Sequence, residues 1–240
     1  MLRGIYTAAS GMTVEAARQD VVANNLANVD TPGFKRDRMT VVPFQEYLIH
    51  SISKQGIRPI GNLGFGVDTI SRYNDFSTGA MLQTGVATDL AIDGDAMFAV
   101  TRNGEVRYTR AGHFCVTRDG VLATPEGDSV LGVNGPVRVN GSFSVSPDGA
   151  IMQDGAVVAT LRLASQQGMV KGEDGLYDNP DGVTVATNFR VNQGALERAN
   201  VNPIREMIEM INVTRSYETN QRALTAHDEM LGRAVNDLAK

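Results

Sequence analysis

Tryptophan is absent from the 240 residues, aromatics make up only 6%, and one cysteine, Cys115, is the whole thiol content. A lone cysteine closes no internal disulfide and builds no cysteine metal site, which excludes disulfide-stapled and zinc-ribbon scaffolds. No run approaches 18 consecutive apolar residues, so no transmembrane helix is expected. Positive charge is in deficit: 22 Lys and Arg against 27 Asp and Glu leave a net charge of −5, which argues against a nucleic-acid binder. The N-terminus has no basic stretch leading into an apolar core, so no cleaved secretory signal is expected. Signatures of chemistry are missing too. Gly64-Phe65-Gly66 lacks the third glycine and the following helix of a dinucleotide loop, and no Gly-x-Ser-x-Gly elbow occurs. His50, His113 and His227 lie far apart, without metal-ligand spacing. No cofactor or metal is expected.

What is present is periodic at both ends. Leu2, Ile5, Ala9, Met12, Ala16, Gln19, Ala23 and Leu26 alternate spacings of three and four, a heptad seam with small members. Gly4 and Gly11 weaken this helix, each by about 1 kcal/mol relative to alanine. At the other end Asn202 suits an N-cap and Pro203 the first helical position. From there Met207, Met210, Thr214, Tyr217, Gln221, Leu224, Asp228, Leu231, Val235 and Leu238 keep the same spacing, widened by Ile204, Ile208 and Ile211. A helix of this length exceeds the ordinary globular range and points to a coiled coil or a helical assembly.

The middle differs in kind. Nine Asx-Gly dipeptides fall between Asp93 and Gly182, and such pairs supply the positive φ of tight hairpin turns. Short apolar runs between them, such as Met97-Phe98-Ala99-Val100, predict an antiparallel β domain. The fold class is therefore α+β, an antiparallel all-β domain inserted between long terminal helices that pair as a coiled-coil-like inner domain. The expected division is 1–30 with 202–240 as the helical domain, 31–75 as an extended connector with a helical turn near Phe44 to Ile52, and 76–201 as the β domain. The stretches 1–36 and 197–240 carry ten basic and ten acidic side chains between them, so the whole −5 falls in 37–196. Neutral ends suit packing against identical copies, where a shared charge would repel.

One cluster invites an enzymatic reading. Asp89, Asp93 and Asp95 supply three carboxylates for acid/base work or calcium, but Asp93-Gly94 already has a turn role and the spacing fails the EF-hand pattern. Cys115, within Gly112-His113-Phe114-Cys115-Val116, reads as a small residue of an alternating strand rather than a nucleophile.

Val21-Val22-Ala23-Asn24-Asn25-Leu26-Ala27-Asn28-Val29-Asp30-Thr31-Pro32-Gly33-Phe34-Lys35-Arg36 resembles the N-terminal signature of bacterial flagellar rod and hook axial proteins. Gly194-Ala195-Leu196-Glu197-Arg198-Ala199-Asn200-Val201-Asn202-Pro203, with Glu206-Met207-Ile208-Glu209-Met210-Ile211 after it, resembles the C-terminal signature of the same family. Asp89-Leu90-Ala91-Ile92-Asp93-Gly94 and Tyr108-Thr109-Arg110-Ala111-Gly112-His113-Phe114 extend the match through the middle. Asp95 and Met97 depart from the family's usual glycine and aromatic, and Ala199 from its serine.

The resemblance implies a non-enzymatic basal-body rod subunit, self-assembling into the tubular axial shaft that transmits torque from motor to hook. A proximal rod type comes first, because the connector lacks a longer insertion; a distal-rod or hook-like axial subunit comes second. Implied partners are copies of itself, other rod and hook axial proteins and the flagellar type III export apparatus, with no nucleic acid and no membrane insertion. The implied location is the rod within the periplasmic space, reached without a cleaved signal peptide. The assembly seams would use Leu2, Ile5, Met12 and Leu26 with Ile204, Met207, Ile208, Ile211, Leu224 and Leu231. Asn24, Asn25, Asn28, Thr31, Gly33 and Phe34 would form the motif and hinge below the β domain. Two competing classes are a secreted glycan-binding β domain and a hydrolase built on the three aspartates. Neither accounts for striped helices at both ends.

Overall fold

Residues 2–44, 47–53, 56–63, 66–172, 174–180, 182 and 184–238 are described by the computed structural model. They form an N-terminal helix, an antiparallel β domain and a C-terminal helix, an α+β architecture. The chain divides into two compact units, one of 1–26, 37–73 and 203–240, the other of 27–36 and 74–202.

In the first unit, helix α1 spans Leu2–Ala27 and helix α2 spans Pro203–Leu238. The 36 residues of α2 extend over about 54 Å at 1.5 Å per residue. Its first turn carries Glu206, whose charge suits the positive end of the helix dipole. The same unit holds a paired strand, Asp37–Pro43 with Val67–Asn74, and a hairpin of Tyr47–Ser53 with Gly56–Leu63. The helical turn expected near 44–52 is thus a strand over 47–53. Isoleucines at 49, 52, 57 and 60 favour the pleated pairing, and the partner strand follows within a few residues. The stretch 31–75, expected as an extended connector, carries paired strands among its described residues.

The second unit is built around the strand Ala96–Arg102, buried over its first five residues. Its alternate side chains enter two clusters. Phe98 and Val100 join Leu90, Ile92, Phe114, Leu122, Val130, Val137 and Ile151 in the main core, where the Phe98 and Phe114 rings meet edge to face at 5.1 Å. Met97 and Ala99 face Tyr108, Leu131, Ala164, Met169 and Tyr177 on the other side. Met97 is fully enclosed there, so its departure from an aromatic leaves the layer filled. This strand pairs antiparallel with Glu105–Thr109, Ser129–Gly132 and Leu163–Ser165. Leu90–Gly94 pairs with Phe189–Gln193, and Met81–Gln83 with Ala195–Glu197, so the last strand before α2 returns to the start of the unit.

Every one of the nine Asx-Gly glycines adopts positive φ. Among the described residues, the Asx residue of two pairs does so as well. Asn103-Gly104 joins Arg102 to Glu105, and Asp154-Gly155 joins Gln153 to Ala156, each as a two-residue hairpin.

Candidate assembly interface

Within the first unit the two helices meet through small and polar residues. A Cβ on Gly4 would lie 2.4 Å from His227 Nε2, and one on Gly11 would lie 2.9 Å from Asn220 Nδ2. Arg18 Nε is 3.9 Å from a Glu209 carboxylate oxygen. Asn25, fully buried, donates from Nδ2 to Glu206 at 3.3 Å and to the Asp37 carbonyl at 3.0 Å, and accepts the Asp37 N–H at 2.8 Å. One side chain of the N-terminal motif thus binds α2 and the first strand together. Asn24 is exposed, whereas Asn28 shapes the chain reversal after α1. The Thr31 N–H bonds the Asn28 carbonyl at 3.1 Å, and the Thr31 hydroxyl bonds the Asn28 side-chain oxygen at 3.2 Å.

The proposed seam residues separate into two sets. Ile5, Met12, Leu26, Leu224 and Leu231 are partly buried, and the side chain of Leu2 lies outside the described residues. By contrast Ile204, Met207, Ile208 and Ile211 are 70%, 51%, 55% and 52% exposed. Their spacing of i, i+3, i+4, i+7 lines one stripe of α2. At 100° per residue that stripe lies opposite the buried Glu206 and Val213. Four large apolar side chains thus share one exposed stripe of α2.

A second constellation, missed by sequence reasoning, lies within the other unit. Lys35, Arg110 and Glu197 are each about 1% exposed at the side chain and form one ion network. Glu197 Oε1 accepts from Lys35 Nζ at 2.8 Å and from the Gly79 N–H at 2.7 Å, while Oε2 accepts from Arg110 Nε at 2.5 Å. Lys35 also donates to the Ser77 carbonyl at 2.9 Å, and Arg110 to the carbonyls of Ile92, Gly94 and Ala96. Burial alone raises the Glu197 carboxyl, but the Arg110 guanidinium and the Lys35 ammonium outweigh it and hold the group below the usual carboxylate range. Burial pushes the Lys35 ammonium below its ordinary range, against the opposing pull of its hydrogen bond to Glu197. Gly33 enters here with φ +68°, its N–H on the Glu197 carbonyl at 2.7 Å, and a Cβ there would sit 2.4 Å from the Arg110 backbone. Phe34 lies under Lys171 Nζ, 4.2 Å from the ring centre. Lys35 adjoins Arg36 and Glu197 adjoins Arg198, so nothing local sets these charges apart. Their partners lie 75 to 162 residues away, beyond any local pattern.

The three aspartates do not act together. Asp89 is buried and pairs with His113 Nδ1 at 2.9 Å, Asp95 accepts from Gln166 Nε2 at 2.7 Å, and Asp93 is exposed. Cys115 is exposed on a short edge strand, its sulfur 3.8 Å from the Thr124 carbonyl. Among the described residues no group of three His, Cys, Asp or Glu could hold a metal ion.

Three family models match the chain. Residues 5–35 match "Flagella basal body rod protein", 91–210 match "Flagellar hook protein FlgE/F/G D1 domain", and 192–238 match "Flagellar basal body rod FlgEFG protein C-terminal". The chain is 33% identical over 262 residues to the flagellar basal-body rod protein FlgG of Bacillus subtilis (strain 168), covering 98% of this chain and 99% of that one. It is 32% identical over 249 residues to the rod protein FlgF of Caulobacter vibrioides, covering 100% and 99%. It is also 32% identical over 256 residues to the rod protein FlgF of Rhizobium meliloti, covering 99% and 98%.

Proposed function

The chain belongs to the flagellar basal-body rod protein family, and from that premise we propose that it builds a self-assembled tube through an inner domain of its own two terminal helices. It is a structural rod subunit, not an enzyme. The helices pair antiparallel as a coiled-coil-like unit. Support comes from the register: seven residues forward from Gly4 to Gly11 correspond to seven back from His227 to Asn220, and fourteen further to Asn25 correspond to fourteen back to Glu206. A heptad step on both helices is the repeat of a coiled coil.

The observation that carries the assembly reading is the exposed stripe of Ile204, Met207, Ile208 and Ile211. The other copies of the subunit, together with neighbouring rod and hook axial proteins, cover it. Head-to-tail contacts of this heterologous kind propagate as an open helix. Mass action then stabilises terminal helices that are marginal in a free subunit. Such a chain unfolds readily for passage through a flagellar type III export apparatus to the periplasmic rod. The lack of a longer insertion in the connector supports a proximal position, with a distal-rod or hook-like subunit as the second reading.

An Ile208→Asp, Ile211→Asp variant tests this. Each isoleucine contributes about 1.5–3 kcal/mol when buried. Losing both weakens each subunit contact by about 3 kcal/mol or more, at least about a hundredfold. The expected result is a folded full-length chain, with the wild-type circular dichroism spectrum, that is missing from isolated basal bodies. Wild-type incorporation would refute the assignment of this stripe.

A further inference from the structure

The chain passes between the two units at four points, after residues 26, 36, 73 and 202. Three of these crossings adjoin segments that converge within the second unit: 31–36, 74–80 and 195–202. The stretches 34–36 and 75–80 belong to no strand, so side chains do most of the fastening. Asn200 supplies much of it. Its Oδ1 accepts the Arg36 N–H at 2.7 Å, and its Nδ2 donates to the carbonyls of Asp75 at 2.7 Å and Ser77 at 3.0 Å. Backbone bonds cross-link the same segments: Asp75 N–H to Arg36 carbonyl at 2.8 Å, and Arg198 N–H to Ala80 carbonyl at 2.9 Å. The Lys35–Glu197–Arg110 network joins all three, since Glu197 binds Lys35 and Gly79 while Lys35 reaches Ser77. Arg110 then pins the group to carbonyls at the ends of the two core strands Leu90–Gly94 and Ala96–Arg102.

We propose that Lys35, Arg110, Glu197 and Asn200 form a clamp that makes the three crossing segments open and close as one body, so that a twist applied at one crossing is resisted by the whole second unit. This rests on the reading of the protein as a torque-bearing rod subunit. A buried charge cannot leave its partners without cost. Withdrawing residues 195–202 strips Lys35 and Arg110 of the carboxylate they share in a dry site, a penalty that holds the segments together. Uncharged hydrogen bonds could each break singly. A shared carboxylate makes the breakage collective. These are positioning residues, acting through the chain crossings.

Amide hydrogen exchange on the full-length chain tests the clamp, with Asn200→Ala and Lys35→Met as separate variants that leave Glu197 paired to Arg110. In each, protection at Gly33, Arg36, Asp75, Gly79 and Arg198 falls together, by about tenfold or more, while Phe98, Val100 and Tyr108 keep wild-type rates. Loss confined to the amides each side chain touches overturns the clamp, as does equal acceleration of the core amides. In cells, Asn200→Ala is expected to swim at wild-type speed in thin medium and to slow more steeply as viscosity rises. An unchanged viscosity curve overturns the clamp's part in transmission and leaves the rod reading standing. Absence of the wild-type chain from basal bodies would overturn that reading instead.

Discussion

Glu197→Gln lowers the stability of the β unit by about 3–5 kcal/mol at neutral pH, the range for removing one partner of a buried ion group. The substitution is nearly isosteric, so packing survives and the loss is electrostatic. A neutral amide at this position leaves Lys35 and Arg110, both about 1% exposed, without the carboxylate they share, and only Asp75 still acts on Lys35 with opposite charge. Lys35→Met costs less, because Glu197 and Arg110 then balance one to one. Urea unfolding of the full chain at pH 7 checks the order: Glu197→Gln below Lys35→Met below wild type. The pH dependence adds a second check. The Glu197 carboxyl is held below its unfolded value, so its contribution is complete above about pH 4.3 and is lost as pH falls through the folded value. Lys35 is also shifted down, so its protonated form weakens the fold, and that penalty eases as pH rises toward about 10.4. Wild-type stability therefore rises with pH in both windows. Glu197→Gln abolishes the acidic one, and a variant whose stability still fell below about pH 4.3 by the wild-type amount would assign that loss to another carboxylate.

Removing residues 203–240 separates folding from assembly. None of the residues in the two β clusters comes from that segment, and Glu197 and Asn200 remain on the shortened chain. The truncated protein is expected to be soluble, with the β core's amide protection intact, and never incorporated into rods. α1 loses Glu206, the partner of buried Asn25, along with Asn220 and His227, which sit against its two glycines. Its helical signal falls by more than the deleted residues account for, which far-UV circular dichroism detects. Normal rods and motility from this truncation would contradict both the helix pairing and the apolar stripe as the means of assembly.

How much of this was readable from sequence varies with the range of the interaction. Both helices are visible because a three-and-four spacing is local. Hairpins at Asn103-Gly104 and Asp154-Gly155 are visible because the turn chemistry occupies two adjacent residues. Gly4 and Gly11 show the limit of local reasoning. By propensity they only weaken α1, yet each sits where any side chain would collide with His227 or Asn220, more than 200 residues away. Apolar spacing on α2 likewise cannot say which apolar residues turn inward. Ile204, Met207, Ile208 and Ile211 lie outward, while the inward positions include the polar Glu206. Strand pairing over 47–63 depends on a partner strand, which no clear local periodicity announces. The Lys35–Glu197–Arg110 network was the least legible, because three unremarkable surface-type residues become one site only after the chain ends are brought together.

The central claim is that this chain is a building block of the rod. Electron cryomicroscopy of isolated basal bodies tests it most directly, with a small tag inserted at the exposed Asn140-Gly141 loop and a strain lacking the protein imaged in parallel. The expected result is repeating tag density along the rod, and in the lacking strain an axial structure that stops short of the hook. Complete rods in that strain, or tag density away from the axis, would contradict it.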